Sequence, residues 1–177
     1  MDTSLDQLYL RLYGDPVLRE RTKEVEAFGE PLKDLIQRMY EVMYEEEGVG
    51  IAAPQVGSRQ RLLVLDVPLE DGGEFRGVLV NPEILEEEGK QKGEEGCLSF
   101  PGIREEVTRA DRIKVRAKNE AGEDMEFQAD GFLSRAVQHE LDHLNGVLFI
   151  DRMSPIRRRL LAKKLRQIQQ ERTATPQ

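Results

Sequence analysis

The sequence predicts an α+β fold: a mostly antiparallel sheet packed around one helix that carries H-E-x-x-H, with a helix before the sheet and a helix after it. Three observations lead there. Residues Pro31 to Glu46 repeat apolar side chains at helical spacing. The middle of the chain holds runs that alternate apolar and polar residues, as strands with one wet face do. From about Phe132 the spacing returns to helical and stays so, with interruptions, to the basic C-terminal segment.

In the first helix, Leu32, Leu35, Ile36, Met39, Val42 and Met43 form one stripe. Pro31 suits its first position and Gly48 its stop. Gly48 to Gly57, GVGIAAPQVG, has three glycines and a proline and reads as an ordered loop. Strands are expected at Arg61–Val67, Gly77–Leu85, Ile103–Arg109, Arg112–Lys118 and Asp124–Ala129, with a turn at Asn119–Gly122 between the last two. Gly93 to Gly102 reads as a loop interrupting them. Asp130 is the expected N-cap of a helix over residues 132–144, which Asn145-Gly146 ends. A last helix is expected from Pro155 to Gln170.

The 177 residues suit one domain, 1–177, with about 152–177 as a basic C-terminal helix and tail. Hydrophobic residues at 38% beside charged residues at 34% place the chain among globular proteins rather than disordered ones. A net charge of -8 argues against general nucleic-acid binding, DNA included, though not against a local basic patch. One cysteine permits no internal disulfide and fits a reducing cytosol. The first twenty residues lack the pattern of a signal or transit peptide, and no apolar run is long enough for a membrane helix. A cytoplasmic protein without membrane contact is expected.

The chemistry concentrates in QHELDHLNG, residues 138–146. His139 and His143 are the only two histidines, and four residues apart on a helix they share a face and can reach one metal ion. Glu140 falls on the same side as the apolar stripe of Leu133, Ala136, Val137, Leu141 and Leu144. A buried acid needs a partner, and one beside two metal-binding imidazoles suits a proton-transferring base. A third protein ligand is needed, and the downstream H-x-x-G-x-x-H continuation is absent. Cys97, the single cysteine, sits in a glycine-bounded polar loop and is the candidate. Two rival readings stay open on these residues alone. One is an H-E-x-x-H endopeptidase that does not need Cys97. The other is a structural metal module, which the lack of a fourth Cys or His disfavours.

Three segments, GVGIAAPQVG (48–57), EGCLSFPG (95–102) and QHELDHLNG (138–146), stand in the order found in peptide deformylases, and the chain resembles that family. YGDPVLR near the start, Asn81-Pro82, and GVLFID after the metal helix extend the likeness along nearly the whole chain. The resemblance implies hydrolysis of the formyl group from the N-terminal formylmethionine of new polypeptides, releasing formate. It implies Cys97, His139 and His143 as ligands of Fe(II), for which Zn(II), Ni(II) or Co(II) can substitute, with a metal-bound water as nucleophile and Glu140 as general base and acid. The Gln55 side chain and the Leu98 backbone N–H are implied as donors to the oxyanion. For the substrate it implies backbone bonds at Gly50, a methionine pocket of Val49, Phe132 and Ala136, a peptide contact at Arg104, and Glu95 anchoring the nearby loop. Arg152 to Arg172 is basic within an acidic chain, with Leu160, Leu161, Leu165 and Ile168 on one side. It reads either as a helix packed on its own domain or as a surface docking on the ribosome beside the emerging chain.

Overall fold

The computed structural model describes residues 4–174; the last three residues of the expected tail lie outside them. Helix α1 (Glu30–Glu45) leads into β1 (Gly50–Ala52), β2 (Leu62–Pro68) and β3 (Glu74–Glu88). A two-stranded hairpin follows, β4 (Gln91–Gly96) and β5 (Arg104–Arg109), then β6 (Arg112–Lys118) and β7 (Asp124–Asp130). Helix α2 (Gly131–Leu144) and the short helices α3 (Pro155–Leu160) and α4 (Ala162–Ala174) close the chain. The larger sheet is antiparallel in the order β1-β2-β3-β6-β7, and β4-β5 forms its own sheet.

Strand β2 shows why the layers form. Leu62 and Val64 face a core shared with Leu32, Leu35, Ile36, Met39 and Met43 of α1. Leu63, Leu65 and Val67 point the other way, to Leu133, Ala136, Val137 and Leu144 of α2. Burial on both faces explains the apolar run Leu62–Leu65, which ends at the half-exposed Asp66. Strand β6 alternates instead: Ile113, Val115 and Ala117 are buried. Arg112, Lys114, Arg116 and Lys118 pair with Asp130, Glu126, Glu83 and Asp124 on the wet face. A third core gathers Val17, Leu18, Phe100, Phe149, Leu165 and Ile168, and so seats α4 on the body of the protein.

Several expectations are corrected. The segment 48–57 is not all loop, because residues 50–52 pair with 63–65 of β2, and Ala53–Val56 makes a 3-10 turn ended by Gly57 at φ 90°. The segment 93–102 is strand as far as Gly96: β4 is polar and glycine-bearing, and its backbone bonds to β5 override weak strand propensity. The hairpin therefore forms a second sheet where one was expected. Strand β3 outruns the expected Gly77–Leu85 because it pairs with β2 along its first half and with β6 along its second, with a register shift at Asn81-Pro82. Asp130 stands at the cap position, yet its side chain makes no cap bond and takes Arg112 at 2.9 Å. The last helix is divided at Leu161, whose N–H is shared between the carbonyls of Arg157 and Arg158. At the end of α1 the left-handed residue is Glu47 (φ 57°), not Gly48. Gly48 is needed for clearance, since a Cβ there would lie 2.8 Å from Leu98 Cδ1.

Asp151 joins both ends of the chain. Its carboxylate accepts the Leu148 N–H at 2.9 Å and Arg19 at 2.6 and 3.2 Å, and Arg158 lies at 3.3 Å. Burial would raise its pKa, but the bonds from Arg19 and the Leu148 N–H outweigh that and hold it below its usual 3.8. A depressed carboxylate adds stability above its unfolded pKa, and that stability is lost as pH falls through the folded one. Asp151→Asn is therefore expected to lower the unfolding midpoint near neutral pH. The gap to the parent should narrow as the pH falls below 3.8 through the depressed folded pKa, as thermal melts across pH would show; a gap independent of pH would refute the ionic role.

Candidate metal centre

Helix α2 supplies three of the central side chains. It touches strands of both sheets, so even its polar residues are inside: Ser134, Arg135, Gln138, His139, Glu140, Asp142 and His143 are all buried. Gln138 shows how such a helix stays satisfied, accepting the Ala110 N–H and donating to the Ala110 and Ser134 carbonyls. One turn apart, His139 and His143 face the segment after β4, where Cys97 lies half-buried. One donor atom from each of Cys97, His139 and His143 lies within 4.8 Å of the others, and Cys97 Sγ is 3.3 Å from His143 Nε2. A tetrahedral ion held at about 2.0–2.3 Å would draw its ligands to roughly 3.3–3.8 Å apart, so the three could close on one cation with small shifts.

The carboxylate of Glu95 orients the first imidazole. Glu95 Oε1 is 2.8 Å from His139 Nδ1. Arg109 bonds both of its oxygens at 2.9 Å, and Arg135 Nη1 approaches Oε2 at 2.5 Å. Burial would raise the Glu95 pKa, but the bonds and charges of Arg109 and His139 outweigh it and hold the carboxyl far below the usual range. An ionised carboxylate only accepts hydrogen bonds, so His139 Nδ1 carries the proton and its other nitrogen is left to face the cluster. Burial lowers His139, but the bonds with Cys97 and Glu95 win and hold its pKa well above 6.5. Burial, with the charges of His139 and Arg109, pushes His143 well below it. A cation among the donors would favour the neutral ring at both.

Glu140 is buried, and its Oε2 has no hydrogen-bond partner among the described residues. Burial raises its carboxyl to about 7, against the lowering charge of His139. Gly50 makes room for it, since a Cβ on Gly50 would lie 3.1 Å from Glu140 Cγ and Oε1. Gln55 is buried behind the cluster. Its Oε1 accepts the Ala52 N–H at 2.9 Å, while Nε2 reaches Ser99 Oγ at 3.2 Å and Cys97 Sγ at 3.6 Å.

A cavity of about 590 Å³ opens beside these groups. Val49, Gly50, Glu95, Cys97, Leu98, Arg104, Phe132, Ala136, His139 and Glu140, all expected from the sequence, line it; Gln55 and His143 do not. Val49 and Phe132 are exposed at its mouth, and Ala136 is buried. Arg104 is drawn to Glu94 at 2.8 Å. Sequence reasoning missed Arg109, Arg135 and Asp142. Asp142 takes Arg109 at 2.6 Å and Arg152 at 2.8 Å, which carries the charge chain from Glu95 to the surface. The available signal was Arg135, a charge on the apolar side of α2 one turn before His139.

Comparison with known proteins gives the chain a family. The model of the Polypeptide deformylase family matches residues 8–159. The peptide deformylase of Thermotoga maritima is 52% identical over 160 residues, covering 90% of this chain and 94% of that protein. That of Acidobacterium capsulatum is 48% identical over 157 residues, covering 89% and 92%. The crystal structure of a peptide deformylase from Legionella pneumophila superposes with a TM-score of 0.84 at 39% identity, over 96% of this chain and 99% of that one. The Thermus thermophilus enzyme gives 0.84 at 42% identity, over 93% and 99%. Matched along most of its length by the family and by relatives that it covers almost end to end, the chain belongs to the polypeptide deformylase family.

Proposed function

We propose that this protein removes the N-formyl group from the N-terminal formylmethionine of newly made polypeptides, releasing formate, and that residues 1–177 act as one catalytic unit in the cytoplasm. The observation that carries the reading is the meeting of three metal-type donors with the buried, unpartnered Glu140 Oε2 at the wall of a cavity. Family membership supplies the substrate class. No helix among the described residues is long and apolar enough to cross a membrane.

Cys97, His139 and His143 would hold a single divalent ion, Fe(II) by the family likeness, with Zn(II), Ni(II) or Co(II) as substitutes. The bound ion supplies Lewis acidity, which activates water near neutral pH and polarises the formyl oxygen. Glu140 accepts the proton of the attacking water and returns it to the amine that leaves with the peptide. Its burial supports that role, because a carboxylate stripped of water is a stronger base. The Gln55 amide and the Leu98 N–H are assigned to the developing oxyanion; the Ala52 bond to Gln55 Oε1 turns the amide nitrogen toward Cys97.

The peptide binds between two strand edges. β1 pairs only with β2 and β4 only with β5, and both free edges border the cavity through Gly50 and through Glu94, Glu95 and Gly96. An extended chain laid there gains backbone bonds at Gly50. Val49, Phe132 and Ala136 then meet the methionine side chain, and Arg104 meets the peptide beyond it. Ribosome docking is assigned to α3, whose Ile156 and Leu160 are 70% and 68% exposed beside Arg157, Arg158 and Arg159.

Three outcomes are expected. Formate release from a formyl-Met dipeptide should fall about 10²–10⁴-fold in Glu140→Gln with metal still bound; retained turnover would remove Glu140 from the proton transfer. Cys97→Ser should lose metal to a chelator far faster than the parent, whereas an endopeptidase using only the two histidines would keep both metal and activity. Co-sedimentation with ribosomes at low salt should weaken when Ile156 and Leu160 are made Ser; unchanged sedimentation would refute docking through α3.

A further inference from the structure

The hairpin that leads to Cys97 shares no strand pairing with the larger sheet, so side chains must set its position against α2. Arg135 is placed to do this. It projects from α2 one turn before His139 and is 4% exposed. Its Nη1 bonds Glu95 Oε2 at 2.5 Å and the Val107 carbonyl at 2.9 Å, and its Nη2 bonds the Gln91 carbonyl at 3.2 Å. Between those ends the guanidinium lies flat on Gly93, where an added Cβ would come within 2.9 Å of Nη2 and 3.1 Å of Cζ and Nε. One planar group thus spans β4 from its first residue to Glu95, two positions before Cys97, and also holds β5.

Arg109 is different in kind. It lies on β5 and bonds Glu95 within its own small sheet, reaching α2 only through Asp142. Arg135 is rooted on the helix that carries both histidines and ends on the strand that runs directly into Cys97. It also completes the shell of Glu95, whose Oε1 takes Arg109 and His139 while Oε2 takes Arg109 and Arg135.

Resting on the reading that Cys97, His139 and His143 hold a metal, we propose that Arg135 is a positioning residue. It docks β4 onto α2 and thereby sets the distance of Cys97 from the two histidines and the orientation of His139. A guanidinium is required, because three acceptors on two strands are met by one rigid fork, which an ammonium cannot imitate. Gly93 belongs to the same device, since any side chain there would displace the fork.

The test is Co(II) affinity, by anaerobic competition with a chelator, together with the thiolate-to-cobalt absorption of the saturated protein. Parent, Arg135→Met, Arg135→Lys and Gly93→Ala are compared well below the unfolding midpoint of each metal-free protein. Arg135→Met is expected to bind about 10–100-fold more weakly, with a weakened or shifted thiolate band. Arg135→Lys should resemble Arg135→Met. Gly93→Ala should move both readouts the same way by a smaller amount, and it carries the test if the Arg135 variants fail to fold. A general loss of stability would lower the unfolding midpoint and leave the saturated spectrum unchanged, which would overturn the proposal. So would parental affinity in Gly93→Ala, or full rescue by Lys. Failure of the parent to bind Co(II) would overturn the metal reading, and this role with it.

Discussion

The buried carboxylate of Glu95 is the constraint on which the site depends. An ion out of water is costly unless its partners are many and well placed, and Glu95 has Arg109, Arg135 and His139 within 2.9 Å. These partners come from β5 and α2, so satisfying one charge fixes the small sheet against the helix. A second acid of this network, Asp142, repeats the logic further along α2 and ties Arg109 to Arg152 at the start of the C-terminal segment. The ion network closes a gap that backbone hydrogen bonding leaves open, since the two sheets are not paired. Such a network is weak evidence for added stability. Its effect here is geometric: it fixes the orientation of the His139 ring and gives the proton on Nδ1 a carboxylate acceptor.

Burial of α2 follows from the layers around it. Leu133, Val137 and Leu144 pack on the β2 face that carries Leu63 and Leu65, and β5 and the 3-10 turn at Ala53–Val56 cover further sides. A helix enclosed in this way cannot keep its polar residues in water, so each must find a partner or a purpose. Ser134, Gln138 and Asp142 have hydrogen-bond partners. Glu140 Oε2 and His143 Nδ1 do not, among the described residues. The polar groups left without partners on this helix thus fall on the two residues adjoining the proposed reaction centre. An unmet buried group costs about 1–3 kcal/mol; Arg11 Nε, Arg172 Nε and Asn145 Oδ1, just past the end of α2, carry the same cost away from the proposed reaction centre.

The parts legible in the sequence were those written in local spacing. The four-residue interval of His139 and His143, the apolar stripe of α1 and the alternation of β6 each follow from a period that neighbouring residues reveal. Cys97 became legible because two histidines leave a metal short of a ligand and one cysteine was available. Strand β4 did not, because its glycines and charges carry no strand signal and only its pairing with β5 makes it one. The partners of Glu95 were hidden for another reason. Arg109 and Arg135 lie 14 and 40 residues away, and no periodicity links residues from separate elements. The split of the last helix at Leu161 was equally silent, since one shared backbone bond separates it from a continuous helix.

The glycines show how the two kinds of information meet. Gly50, Gly93 and Gly48 have no positive φ, so no turn demands them. Each stands where a side chain from elsewhere rests against the backbone: Glu140 on Gly50, Arg135 on Gly93 and Leu98 on Gly48. Those three side chains are the proposed base, the proposed positioning residue and a proposed oxyanion donor's own side chain. A glycine required for clearance looks the same in sequence as one required for a turn. Only the approaching side chain tells them apart. Here all three bound the same cavity or the strand that leads into it, so the glycine-rich segments act as the close-fitting wall against which the proposed chemical groups are held.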